Sequence, residues 1–79
     1  MKAKLLIVED DAALAELLVW NFEAQGYQVT LTADGEEALL LADEETPDLI
    51  LLDWMIENLP GIEVCRRLRR KESTASIPI

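Results

Sequence analysis

Two runs of strand length carry only apolar side chains over four successive positions, and each is closed by acid. Leu5-Leu6-Ile7-Val8 leads into Glu9-Asp10-Asp11, and Leu49-Ile50-Leu51-Leu52 leads into Asp53. A strand that is apolar on both faces has to be covered on both, which a parallel sheet flanked by helices provides. The segments between the two runs fit that arrangement. Asp11 is placed to cap a helix whose apolar residues Leu14, Leu17, Leu18 and Phe22 follow the 3.6-residue period, with Gly26 as its stop. Residues 27–32 alternate apolar and polar and are rich in β-branched and aromatic types, as expected of a half-covered edge strand. Asp34 and Glu37 have capping-box spacing ahead of a helical run at 38–42, and Thr46-Pro47 ends that helix. Asn58-Leu59-Pro60-Gly61 forms a loop, Ile62, Cys65 and Leu68 share one face of a third helix, and Ser76-Ile77-Pro78-Ile79 reads as the start of a fourth strand. The order β-α-β-α-β-α-β predicts an α/β fold, a doubly wound parallel sheet with helices on both faces.

Composition narrows the function. With 16 acids, 7 bases and a net charge of -9, the chain lacks the basic surface that sequence-independent nucleic-acid binding requires. Five of the bases, Arg66, Arg67, Arg69, Arg70 and Lys71, cluster at the end of the third helix, where the helix dipole favours cations. An apolar share of 51% is that of a folded domain and not of a disordered segment. No apolar stretch has the roughly 18 to 20 residues that span a bilayer, and the opening segment does not read as a signal peptide. One cysteine and no histidine exclude an internal disulfide, a structural zinc site and a histidine-based triad. The expected compartment is the cytoplasm.

Ligands of open parallel α/β sheets sit beyond the carboxyl ends of the strands, where the strand order reverses. If the two apolar strands are neighbours, Glu9, Asp10, Asp11 and Asp53 converge there. Two carboxylates about 5 Å apart repel by roughly 3 kcal/mol at an effective dielectric of about 20, so the cluster needs a raised pKa or a cation. Magnesium suits a few carboxylates plus retained waters, whereas calcium sites of the loop type need a twelve-residue ligand loop that is missing. Asp11 also has the plain reading of a helix cap. Neither glycine-rich phosphate-loop pattern occurs, which disfavours nucleotide binding. Among nucleophiles, Cys65 falls on an apolar helix face, so Asp53 is the stronger candidate. Trp54 and Met55 are read as covering the crevice wall, and Trp20 as packing.

Leu5 to Asp11, the run Asp34-Gly35-Glu36-Glu37-Ala38-Leu39, and Pro47 to Met55 followed by Pro60-Gly61 together resemble a response-regulator receiver domain. Glu9-Asp10, Trp54-Met55 and the Ile77-Pro78-Ile79 ending resemble the phosphate-regulon regulators, whose receivers are followed by a winged-helix DNA-binding domain. The resemblance implies the flavodoxin-like fold with strand order 2-1-3-4-5. It implies Asp53 as phosphoacceptor, and a Mg2+ ion held by Glu9, Asp10, Asp53 and the backbone carbonyl of Met55. Glu9 acts in that scheme as a ligand or through water. A sensor histidine kinase is the implied partner, and the receiver promotes its own phosphorylation and dephosphorylation without being a turnover enzyme. The implied role is a two-component phosphorelay that controls transcription through a downstream DNA-binding domain.

The chain departs from a complete receiver after the start of strand four. The hydroxyl after that strand and the lysine after strand five, which would bind phosphoryl oxygens, have no counterparts. Residues 1–79 are therefore expected to be the amino-terminal part of a single receiver domain, incomplete and with reduced competence, and with no second domain. Two alternatives stand beside this. One is a half-domain that works by association alone, as a homodimer or strand-exchanged assembly through its uncovered edge. The other is a phosphatase with an Asp nucleophile, although the position two residues after Asp53, where such enzymes place a second acid, is Met55.

Overall fold

A computed structural model describes residues 2–79. Six elements follow in chain order: β1 (Lys4–Val8), α1 (Ala12–Ala24), β2 (Gln28–Thr32), α2 (Gly35–Glu45), β3 (Leu49–Leu52) and α3 (Gly61–Arg70). The strands form one parallel sheet of order β2-β1-β3. The all-apolar β1 is central, with Leu5, Leu6, Ile7 and Val8 all fully buried, while the alternating β2 lies at an edge. Leu5 pairs with Val29 and Leu49, and Ile7 with Leu31 and Leu51, so these side chains share one sheet face.

The principal core lies on the other face. Leu6, Val8 and Ile50 meet Ala38 and Ala42 of α2, Val64 and Leu68 of α3, and Ile56, Leu59 and Ile77 from the connections. Small residues on α2 let it approach the sheet closely. Gly35 lets the start of α2 lie against the connection before α3, since a Cβ there would stand 2.6 Å from Leu59 O.

The helix ends follow the expected chemistry. Asp11 Oδ1 accepts the Leu14 amide at 3.1 Å, and Gly26, at φ 98°, turns the chain out of α1 in the left-handed region. Phe22 and Tyr27 meet edge to face across that turn with centroids 5.6 Å apart. Asp34 Oδ1 accepts from Glu36 N and Glu37 N, and Thr46 closes α2 at φ 44°. The capping box is not reciprocal, however. Glu37 bonds the Thr32 hydroxyl, and it is Thr32 Oγ1, at 3.2 Å, that accepts the Asp34 amide.

Four expectations need correction. The first-helix stripe is not core: Leu14 and Leu17 are exposed, Leu18 and Phe22 are half-buried, and only Ala15 is buried. The inward face of α3 is Gly61, Val64 and Leu68, with Ile62 exposed and Cys65 half-buried. The apolar run of β3 is not covered on both faces, because Ile50 is buried but Leu51 is 37% exposed. Finally, residues 76–79 form no strand. The Ile50 amide donates to Pro78 O at 2.9 Å, which places this segment along the far side of β3, preceded by a turn in which Thr74 Oγ1 donates to Leu68 O at 2.7 Å.

Four of the five clustered bases are engaged within the fold. Arg66 and Arg67 pair with Glu63, Lys71 with Asp43 of α2, and Arg69 donates to Ala75 O and Ile77 O.

Candidate functional site

The central position of β1 and its parallel pairing with β3 put the carboxyl ends of both strands side by side. The Asp53 amide donates to Val8 O at 3.1 Å and the Glu9 amide to Thr32 O at 3.0 Å, so the ladder continues on both sides of β1 into the acidic residues. Glu9, Asp10 and Asp53 each bring one carboxylate oxygen to within 4.8 Å of the others. Asp11 is not one of this group, and its carboxylate serves as the cap of α1.

The three acids differ in setting. Glu9 is buried, with 7% of its surface accessible, Asp10 is exposed and Asp53 is half-buried. Burial pushes the Glu9 carboxyl up from its ordinary range, and the neighbouring Asp53 and Asp10 charges push the same way. The Asp11 amide, donating to Glu9 Oε2 at 3.1 Å, opposes this only in part. The three ion pairs among the described residues lie on α2, on α3 and at the end of α3, so no cation of the described residues pairs with the group. A buried carboxylate between two other acids, with hard oxygen donors only, fits a small divalent cation such as magnesium.

Asp53 is oriented by its own turn. Its Oδ1 accepts the Trp54 amide at 2.8 Å, and the Gly61 amide donates to Trp54 O at 2.9 Å, closing the base of the loop between them. A Cβ on Gly61 would collide with Asp53 O and stand 2.8 Å from Trp54 Cα. Gly61 is thus needed for the start of α3 to lie against the backbone of Asp53, a role that Pro60-Gly61 in the sequence indicated only as a turn. Met55 is 80% exposed and Trp54 68%, so neither side chain walls off the crevice. Trp20 is exposed as well and is not a packing residue. Cys65 lies against the uncovered side of β3 with Leu51, Ile62 and Ile79, in a cavity that Asp53 and Trp54 also line.

The parallel order 2-1-3 thus gathers three acids at the carboxyl ends of its middle and third strands. The chain belongs to the response regulator receiver domain family, which it matches over residues 5–79. It is 46% identical over its full length to the phosphate regulon transcriptional regulatory protein PhoB of Rhizobium meliloti, covering 35% of that protein. It is 49% identical over 72 residues to the alkaline phosphatase synthesis transcriptional regulatory protein PhoP of Bacillus subtilis, covering 30% of it. The chain therefore spans about a third of the length of these transcriptional regulators. Among solved structures, a response regulator from Chloroflexus aurantiacus superposes with a TM-score of 0.96 at 35% identity, over all of this chain and 65% of that one. The receiver domain of sensor histidine kinase PA1611 from Pseudomonas aeruginosa, described with a magnesium ion coordinated in the active-site cleft, gives 0.96 at 32% identity with the same coverage.

Proposed function

We propose that residues 1–79 are the amino-terminal part of a single receiver domain, in which Asp53 accepts a phosphoryl group from a phosphohistidine of a sensor kinase. The observation that carries this reading is the convergence of Glu9, Asp10 and Asp53 oxygens within 4.8 Å at the strand ends. Glu9, Asp10, Asp53 and the main-chain carbonyl of Met55 would hold Mg2+. When bound, that ion neutralises the oxygens of the transferred group and lowers the repulsion among the acids.

The chain's own residues do the rest. The Trp54 amide occupies Asp53 Oδ1, which leaves Oδ2 to attack phosphorus. The new P–O bond forms as the P–N bond to the histidine breaks, and the imidazole recovers the electron pair and takes a proton from solvent. Charge neutralisation and positioning, more than covalent chemistry, supply the rate. The acyl phosphate biases a two-state surface that governs transcriptional output through a DNA-binding domain of the longer protein, in the cytoplasm. This segment itself contacts no nucleic acid.

Incubation with a radiolabelled kinase or with acetyl phosphate in the presence of magnesium tests the assignment. Label that is base-labile, and lost in Asp53→Asn and on removal of magnesium, is expected. Label retained by Asp53→Asn would place the acceptor elsewhere.

A further inference from the structure

The loop between β3 and α3 carries the residues that follow Asp53, and it is held through the buried Ile56 and Leu59 as well as at its base and its tip. The base is closed by Gly61 N donating to Trp54 O. The tip is tied to another element: the Gly35 amide donates to Glu57 O at 3.1 Å, and the Asn58 Nδ2 group donates to Asp34 Oδ2 at 2.6 Å. Asn58 sits at φ 69°, in the left-handed region that asparagine adopts more readily than most residues. That turn aims its side chain back at α2 while the Leu59 amide closes on Glu57 O at 2.8 Å.

Asp34 is a firm anchor. Its other oxygen caps α2 through Glu36 N and Glu37 N, and its own amide is held by Thr32 Oγ1. Thr32 in turn accepts the Glu9 amide through its carbonyl. A continuous hydrogen-bonded path therefore runs from the backbone of Glu9, through the end of β2 and the cap of α2, to the loop after Asp53.

We propose that Asn58 is a positioning residue of the acid site. Its amide, docked on Asp34, holds the loop after Asp53 so that the Met55 carbonyl and the Asp53 carboxylate keep a fixed relation to Glu9 and Asp10. This rests on the magnesium reading given above. Outer partners that orient ligands typically change metal affinity by about 10- to 100-fold when removed.

The test uses three variants of the chain. Asn58→Gly keeps the left-handed turn and removes the amide. Asn58→Asp opposes two carboxylates. Asp34→Asn combined with Asn58→Asp exchanges donor and acceptor at constant net charge, so that residue 34 caps α2 with its oxygen and donates with its nitrogen. Magnesium affinity is read from Trp54 fluorescence, and loop order from amide hydrogen exchange at 54–59 without metal. Asn58→Gly is expected to weaken magnesium binding about tenfold or more at little change in melting temperature. Asn58→Asp is expected to speed exchange in the loop, and the exchanged pair to return exchange and affinity close to those of the unsubstituted chain.

Unchanged affinity in Asn58→Gly, with affinity lost in Asp10→Asn, would overturn the positioning role and leave the metal site standing. Failure of the exchanged pair to restore exchange would overturn it on grounds independent of metal. Absence of any magnesium response in the unsubstituted chain would overturn both readings.

Discussion

Glu9 bears an electrostatic cost, being buried beside two other carboxylates. Its carboxyl is raised above the 4.5 it would have in an unfolded chain, first by burial and then by Asp53 and Asp10. A raised folded-state pKa means that the fold favours the protonated form. Its contribution to stability is therefore greatest below 4.5, falls as pH rises through the raised value, and at neutral pH the full cost of the charge remains. Glu9→Gln keeps an oxygen for the Asp11 amide and removes the charge. A pair of carboxylates at this spacing repels by roughly 3 kcal/mol at an effective dielectric of about 20, and the exposure of Asp10 screens much of that. The variant is expected to gain about 1 kcal/mol in the absence of metal, a rise of about 4–8 °C in melting temperature, and to lose most of the stabilisation that added magnesium confers. Thermal melts at neutral pH with chelator and with magnesium check both halves. A melting temperature below that of the unsubstituted chain in chelator would show that Glu9 is not held against its charge.

At the scale of elements, the sequence read the strands and caps well and the buried faces poorly. Four apolar residues in succession can only be a strand or a short piece of buried helix, and flanking acids and turn residues decide between them. Asp11, Gly26 and Asp34 act locally, so their roles were legible from spacing alone. Which side of α3 faces inward is not local. Ile62, Val64, Cys65 and Leu68 spread over about 160° of the helix, wider than the stripe that can face the core, and the choice of Val64 with Leu68 follows from the approach of Gly61 to Asp53, a contact between distant elements. The site shows the same division: the acids were visible at the strand ends, whereas the bond from Asn58 to Asp34 joins residues 24 positions apart. The uneven covering of β3 has a measurable consequence. Ile50→Ala is expected to cost about 2–5 kcal/mol, and Leu51→Ala about 1 kcal/mol, because the second side chain is already 37% exposed. Equal losses in denaturant melts would mean that both faces of β3 are covered. The tie between α2 and the end of α3 can be followed by pH. Lys71, 3.0 Å from Asp43, holds that carboxyl below its ordinary 3.8, with help from Ser73. A depressed pKa contributes stability above the unfolded value and loses it as pH falls through the folded one. An NMR titration should place Asp43 below 3.8, and Lys71→Ala should move it up; a midpoint indifferent to that change would show the pair to be open in solution.

For the molecule as a whole, the sheet is covered unevenly. Helices α2 and α3 close one face over a continuous core, while on the other α1 lies toward β2 and leaves Leu51 of β3 open. Ile62 and Ile79 border Leu51 at the far side of β3, whereas the exposed Leu17 and Trp20 of α1 lie beside Leu31 toward β2. Single exposed apolar side chains are ordinary, but here several lie along one uncovered strand and its neighbours, and that strand is also an edge. The net charge of -9 opposes association, yet the acids are concentrated at the strand ends and on α1 and α2, and the carboxyl-terminal part of α3 is basic. Repulsion is thus weakest beside β3, whose far side is covered only by residues 76–79 through the bond from the Ile50 amide to Pro78 O. The 79-residue chain by itself is therefore expected to associate through this edge. Sedimentation velocity across the micromolar range should show a sedimentation coefficient that rises with concentration. Leu51→Lys, which puts a charge on the uncovered face and leaves Glu9, Asp10 and Asp53 untouched, should remain monomeric with unaltered magnesium affinity. A chain that is strictly monomeric at high micromolar concentration, with or without that substitution, would show that charge and the short length of the edge suffice to keep it apart.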